Sequence, residues 1–165
     1  MILTGRKICE EVEKGSIVLS DFDEARVNPN SYNYRLGSEI KIFDSFGEDG
    51  EYRFLAETIP ESGVRLLPGR MYLGVTQEII GSDIYAMSLI GRSSMGRYGL
   101  FLQVSANLGH TTSCHRWTLE LYACQPITLY PGMDIGQVSF WRNDGPIHCY
   151  GKTYAKFNSP VEHLR

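Results

Sequence analysis

From Gly63 onward the chain is a succession of apolar runs rich in Val, Ile, Leu, Tyr and Thr, each broken by Gly or Pro. Runs of about 5–9 residues between such breaks are strand-length, too short for the mean helix, and they recur with almost no helical spacing between them. A chain built this way must close its strands into a barrel or stack them as a jelly roll. Two of the runs echo each other: Val64-Arg65-Leu66-Leu67-Pro68-Gly69 and Ile127-Thr128-Leu129-Tyr130-Pro131-Gly132. Each predicts a strand ending in a tight turn, with Pro at the second position and Gly at the third, where φ is positive.

The region before Gly63 is less uniform. Thr4 can cap a short helix on which Ile8, Cys9 and Val12 share a face and which Gly15 can end. Ser16 to Leu19 reads as a short strand and Asn28-Pro29-Asn30-Ser31 as a turn. Residues 44–62, rich in Gly, Asp, Glu and Ser, read as a loop or an exposed hairpin. A length of 165 residues with 42% hydrophobic and 21% charged residues suits one domain, residues 1–165, with an ordinary core. The net charge of -3 argues against a general nucleic-acid surface. No apolar run approaches the about 18 residues that span a membrane. The N-terminus lacks the long apolar stretch of a signal peptide, and the four cysteines form no C-x-x-C pair. Free thiols and a cytoplasmic location are therefore expected.

The chemistry concentrates between Gly91 and Gln137. A strand over Ile84 to Ile90 runs into Gly91-Arg92-Ser93-Ser94-Met95-Gly96-Arg97. Hydroxyls and backbone N–H groups at a helix start, with arginines beside them, can hold phosphate oxygens; a capped surface turn is the plainer alternative. Alternation along Arg116 to Ala123 puts Trp117, Leu119, Leu121 and Ala123 on one face, and Arg116, Thr118, Glu120 and Tyr122 on the other. Glu120 is thus a mid-strand carboxylate among polar neighbours, a general-base candidate if that face lines a cleft. A strand over Phe101 to Ala106 is expected between these elements, with Gln103 and Ser105 on one face and Leu102, Val104 and Ala106 on the other. The loop Asn107 to His115 holds His110, Cys114 and His115, which with Cys124, His148 and Cys149 have metal-donor chemistry but no standard metal-site spacing.

Taken in order, these segments resemble the dCTP deaminase family, kin of trimeric dUTPases. The family pattern G-R-S-S-x-x-R-x-G-L matches Gly91 to Leu100; V-T-A matches Val104-Ser105-Ala106; T-L-E matches Thr118-Leu119-Glu120; P-G-M-x-I-G matches Pro131 to Gly136. Ser31-Tyr32-Asn33-Tyr34-Arg35-Leu36-Gly37 matches an earlier motif, and Ala155-Lys156-Phe157 a C-terminal one. The resemblance implies a dUTPase-like distorted β-barrel and a homotrimer with active sites shared at its interfaces. It implies that Glu120 is the catalytic carboxylate, that Ser93 or Ser94 and the Ala106 carbonyl orient the water, and that Arg97 polarises the site. Arg92, Ser93, Ser94, Met95, Gly96 and Arg97 match the triphosphate-binding stretch. His110, Thr118, Leu119, Gln137, Tyr150 and Lys156 match further nucleotide contacts.

The implied activity is deamination of a cytosine nucleotide, dCTP to dUTP and ammonia, and Gln137 matches a residue of members that also cleave the product to dUMP. Mg²⁺ with the triphosphate is implied, and zinc is not: the H-x-E…P-C-x-x-C arrangement of zinc deaminases is absent. A nucleotide hydrolase on the same scaffold and a non-catalytic nucleotide-binding protein are the alternatives. One loop departs from the pattern. Where the family carries Ile-Asp-x-Gly and an aromatic, this chain has Gly109-His110-Thr111-Thr112-Ser113, so His110 replaces the Asp that reads the sugar 3′-OH. The departure predicts an altered preference, for a ribonucleotide or for a modified or monophosphate cytidine.

Overall fold

The structure is a computed structural model and describes residues 1–151 and 157–162. The opening helix spans Gly5–Glu13, and the Thr4 side chain accepts the Lys7 N–H at 3.4 Å. Gly15, at φ +74°, turns the chain out of it. The expected face holds in part: Ile8 is fully buried and Val12 packs half-buried against the core, while Glu11 is buried beside them and Cys9 is only half-buried. Glu11 tolerates burial because Lys7 and Lys14 reach it at 2.9 and 3.0 Å.

A nine-stranded sheet carries the fold. Its hydrogen-bonded path runs Leu108–Gly109, Tyr85–Gly91, Asp134–Arg142, Ser31–Phe46, Met71–Thr76, Thr118–Ala123 and Leu100–Leu102, with Val27–Asn28 and Tyr52–Thr58 also pairing to Ser31–Phe46. The sheet curls on itself. Gly91 and Leu102 belong to strands far apart along this path, yet a Cβ on Gly91 would sit 3.5 Å from the Leu102 side chain. Inside lie Tyr32, Tyr34, Leu36, Met87, Leu121 and Phe140, each at most 1% exposed. Gly136 lets two segments meet in that interior, since a Cβ there would fall 2.1 Å from the Tyr34 ring.

The turn expected over Asn28 to Ser31 forms, as a two-residue connection with Asn28 paired to Ser31 and Val27 to Tyr32. Residues 44–62 form an exposed hairpin: Ser31–Phe46 pairs with Tyr52–Thr58 and packs Phe43, Phe46 and Tyr52 together at its tip. The two echoing segments turn out to be partners. Val64–Leu66 and Ile127–Leu129 pair antiparallel as a small separate sheet, and Gly69 and Gly132 both adopt φ +76° in the turns that follow.

One expected strand is cut short. It spans Leu100–Leu102, not Phe101 to Ala106, because Gln103 takes a left-handed φ of 52°. Of the three residues expected on its apolar face only Leu102 is buried; Val104 and Ala106 are exposed. The strand expected from Ser16 is likewise shorter, Val18–Leu19.

Candidate active site

The strand Thr118–Ala123 behaves as its alternation requires: Leu119, Leu121 and Ala123 are fully buried, while Thr118 and Glu120 are half-buried on the other face. Glu120 lies opposite Leu73 on one neighbouring strand. On its other side the break at Gln103 takes over from strand pairing. The Gln103 N–H donates to the Glu120 carbonyl at 3.2 Å, and the Glu120 N–H donates to the Gln103 side-chain oxygen at 2.8 Å. Gln103 Nε2 then donates to the Ala106 carbonyl at 3.2 Å. One side chain therefore sets the spacing between the Glu120 backbone and the Ala106 oxygen. The Glu120 carboxylate is held by Ser105, whose N–H reaches Oε2 at 3.3 Å and whose hydroxyl lies 3.2 Å from both oxygens. Sequence reasoning assigns Gln103 and Ser105 only a strand face, and the backbone reversal at Gln103 is what turns both toward Glu120.

Glu120 opens into a cavity of about 700 Å³, also lined by Thr118, Ala106, His110, Gln103 and Tyr150. Tyr52, Phe54, Trp117 and Phe157 give it an aromatic side. This is the mixture of apolar wall and few convergent polar groups that small-molecule sites use. His115 is buried in the wall, its ring 4.2 Å from that of Trp117 and its Nδ1 2.7 Å from the Arg116 carbonyl. Burial pushes its pKa down, so it is neutral at pH 7.

The divergent loop is fastened to the C-terminal segment. His110 stacks on Tyr150 with ring centroids 4.6 Å apart. The Tyr150 N–H donates to Thr112 Oγ1 at 2.7 Å, and the Thr112 hydroxyl faces Cys149 Sγ at 3.7 Å. Thr112 stands where the family pattern has Gly, and it keeps a glycine-like φ of +72°. Further along, Asn158 accepts the Arg116 N–H at 3.0 Å, Thr118 Oγ1 accepts the Val161 N–H at 3.1 Å, and Glu162 pairs with Lys41.

The site residues suggested by the sequence fall into two groups. Glu120, Ala106, His110, Thr118 and Tyr150 share the cavity. Arg92, Ser93, Ser94, Arg97 and Gln137 do not line it; they belong to the short helix Ser93–Arg97, its N-cap, and the strand Asp134–Arg142. Ser93, Ser94 and Arg97 are exposed, and a Cβ on Gly96 would meet nothing within 4 Å, so backbone there is open to approach. Gln137 accepts a hydrogen bond from Ser31 at 2.9 Å. The side chains of Met95 and Leu119 are in the core, 6% and 0% exposed, so these two residues can meet a ligand through their backbone only. Lys156 lies outside the described residues. The cysteine and histidine donors also disperse; among the described residues no three His, Cys, Asp or Glu side chains gather to hold a metal ion.

A curled β-barrel with a mid-strand carboxylate at the edge of a mixed cavity places the protein in the dUTPase-like fold class. Its fold is similar to the crystal structure of 2'-deoxycytidine 5'-triphosphate deaminase from Agrobacterium tumefaciens, with a TM-score of 0.70 and 20% sequence identity over 86% of this chain; the chain spans 48% of that longer one. The family model described as dCTP deaminase-like matches residues 2–143. The chain is 37% identical to a dUMP-forming dCTP deaminase of Clostridium botulinum over 98% of its own length and 94% of the relative's. It is 38% identical to another from Cytophaga hutchinsonii, with the same coverage, and 40% identical to a dCTP deaminase of Rhodopirellula baltica over 88% of this chain and 74% of that one. The protein belongs to the dCTP deaminase-like family.

Proposed function

We propose that this protein deaminates dCTP and cleaves the product to dUMP, in a homotrimer whose active sites combine residues of neighbouring subunits. The observation that carries the reading is the Glu120 carboxylate, held by Ser105 at the cavity mouth with the Ala106 carbonyl fixed beside it through Gln103. Near-full-length relatives named as dUMP-forming support the product.

Water placed between Glu120 and the Ala106 carbonyl attacks cytosine C4. Glu120 takes the water's proton and delivers it to N3, forming a neutral tetrahedral intermediate. It then moves the remaining hydroxyl proton to the amino group, which leaves as ammonia while C4 becomes a carbonyl. One carboxylate that alternates between base and acid suffices, and the balance is dCTP plus water to dUTP plus ammonia. A second water then displaces pyrophosphate at the α-phosphorus to give dUMP.

The phosphate group of residues, Arg92, Ser93, Ser94 and Arg97, does not line this chain's own cavity, which is the arrangement a shared interface site requires. Ser93 and Arg97 of a neighbouring subunit would orient the water and polarise the base, and Tyr150 and Lys156 would contact the nucleotide. Mg²⁺ fits as a companion of the triphosphate: no trio of protein donors gathers among the described residues, while the exposed Ser93 and Ser94 can share phosphate oxygens with it. When bound it offsets phosphate charge. The proposed setting is cytoplasmic; no helix among the described residues is long and apolar enough to cross a membrane.

The test is chromatography of products, with ammonia measured, after incubation with dCTP, CTP, dCMP and dUTP in Mg²⁺. Ammonia and dUMP from dCTP are expected, and Glu120→Gln is expected to abolish ammonia release while retaining nucleotide binding. Full activity in Glu120→Gln, or turnover of dUTP with none of dCTP, refutes the reading; the second outcome would favour a hydrolase.

A further inference from the structure

Two arginines from distant parts of the chain converge on Asp134, at the start of the strand Asp134–Arg142. Arg92 Nη1 lies 3.2 Å from Asp134 Oδ2 and 3.5 Å from the carbonyl of the same residue. Arg26, which ends the short 3-10 turn Glu24–Arg26, pairs with the other carboxylate oxygen, and its Nε is 3.6 Å from Asp23. Asp134 Oδ1 and Arg26 Nε and Nη1 are all buried. The Arg92 backbone is held from the same place, since its N–H donates to the Ile135 carbonyl at 3.4 Å.

The charge balance gives this arrangement a direction. Arg26, Asp134 and Arg92 together carry one net positive charge. Asp23, the other acid nearby, is half exposed and more distant, so water screens it. Arg92 spends only Nη1 on Asp134, and a guanidinium has five N–H donors, so Nε and Nη2 remain for an anion. Remove the carboxylate and the two guanidiniums repel, while the long Arg92 side chain regains the rotamers that pairing denies it. The family pattern P-G-M-x-I-G leaves the position of Asp134 open, so no motif assigns it a role.

We propose that Asp134 is a positioning residue that holds Arg92 ready for the phosphates of the nucleotide, with the half-buried Arg26 as its buttress. The proposal rests on the reading of Arg92 as a phosphate contact. Asp134 touches no reacting atom, so its effect belongs in nucleotide affinity and not in the chemical step.

The experiment compares wild-type protein with Asp134→Asn, Asp134→Glu, Arg92→Gln and the Asp134→Asn/Arg92→Gln double variant. The measurements are dCTP steady-state kinetics, calorimetric titration with inorganic tripolyphosphate, and thermal unfolding. Loss of one charge-assisted contact predicts a rise of roughly tenfold in both KM for dCTP and the tripolyphosphate Kd in Asp134→Asn, with kcat within about twofold. Asp134→Glu recovers most of the affinity, and Asp134→Asn adds nothing in the Arg92→Gln background. If Asp134→Asn unfolds because the buried Arg26 Nη1 loses its carboxylate partner, the Arg26→Met/Asp134→Asn variant carries the same comparison. A folded Asp134→Asn with wild-type tripolyphosphate affinity overturns the proposal, as does an additive double variant, a fall in kcat at unchanged KM, or wild-type protein that does not bind tripolyphosphate. Wild-type protein that binds tripolyphosphate but releases no ammonia from dCTP overturns the deaminase reading alone, and the titrations still decide the role of Asp134.

Discussion

Replacing Thr112 by Gly sets two local effects against each other at the divergent loop. A β-branched residue at φ +72° is held in a region that costs about 1–3 kcal/mol, and Gly removes that cost. The same change deletes the hydroxyl that accepts the Tyr150 N–H at 2.7 Å, a contact of about 0.5–1.5 kcal/mol. Gly also loses more backbone freedom on folding, by about 0.5–1 kcal/mol. The sum lies between about 1.5 kcal/mol of destabilisation and about 2 kcal/mol of stabilisation, so Tm should move by no more than about 4–8 °C in a chain of this size. The local result is not neutral. The Tyr150 amide loses its acceptor and the His110–Tyr150 stack loses its anchor, so hydrogen exchange across residues 148–151 should quicken while the barrel strands keep their protection. Mass spectrometry of exchanged peptides beside a thermal melt measures both. A drop of more than about 3 kcal/mol, or unchanged protection at Tyr150, would refute the reasoning.

Other perturbations test the frame around the site. Glu78 is fully buried and receives Arg35 Nε at 2.6 Å and the Arg35 N–H at 2.9 Å, so Glu78→Gln should cost about 3–5 kcal/mol in urea unfolding. Gly136→Ala drives a methyl into the buried Tyr34 ring and should destabilise by about 1–3 kcal/mol, with the loss reduced when Tyr34 is shortened to Leu. Lys7 and Lys14 lower the Glu11 carboxyl from its usual 4.5 to about 2. Because the folded-state value is the lower one, the stability from Glu11 is complete above about pH 4.5 and is lost as pH falls towards 2. Acid titration of Glu11→Gln should therefore show a shallower loss across that window.

The fold was legible where local patterning and burial agree. Alternation along Thr118–Ala123 identified its buried face, and Pro-Gly marked both turns after the echoing strands. The sequence could not show that those echoes pair with each other, because sheet register is decided by distant partners. It overextended the strand after Leu102, since nothing in the composition of Gln103 announces a left-handed residue whose side chain bonds in place of a ladder. Some motif matches that drew attention for function are architectural: Arg35 neutralises the buried Glu78, and Gly136 admits Tyr34. Glu120 stood out by its position among polar neighbours. Ser105 and Gln103, which hold it, did not, because their contacts follow from the backbone reversal.

The division between the Glu120 cavity and the Ser93–Arg97 helix has a genetic consequence. If each site in the proposed trimer takes its carboxylate from one chain and its arginine from the next, a chain lacking Glu120 and a chain lacking Arg97 are each inactive alone but carry complementary halves. Random mixing places an intact carboxylate opposite an intact arginine in about one quarter of the sites. Co-expressed Glu120→Gln and Arg97→Ala chains should thus regain up to that fraction of wild-type turnover, whereas two lesions within the same half should regain none.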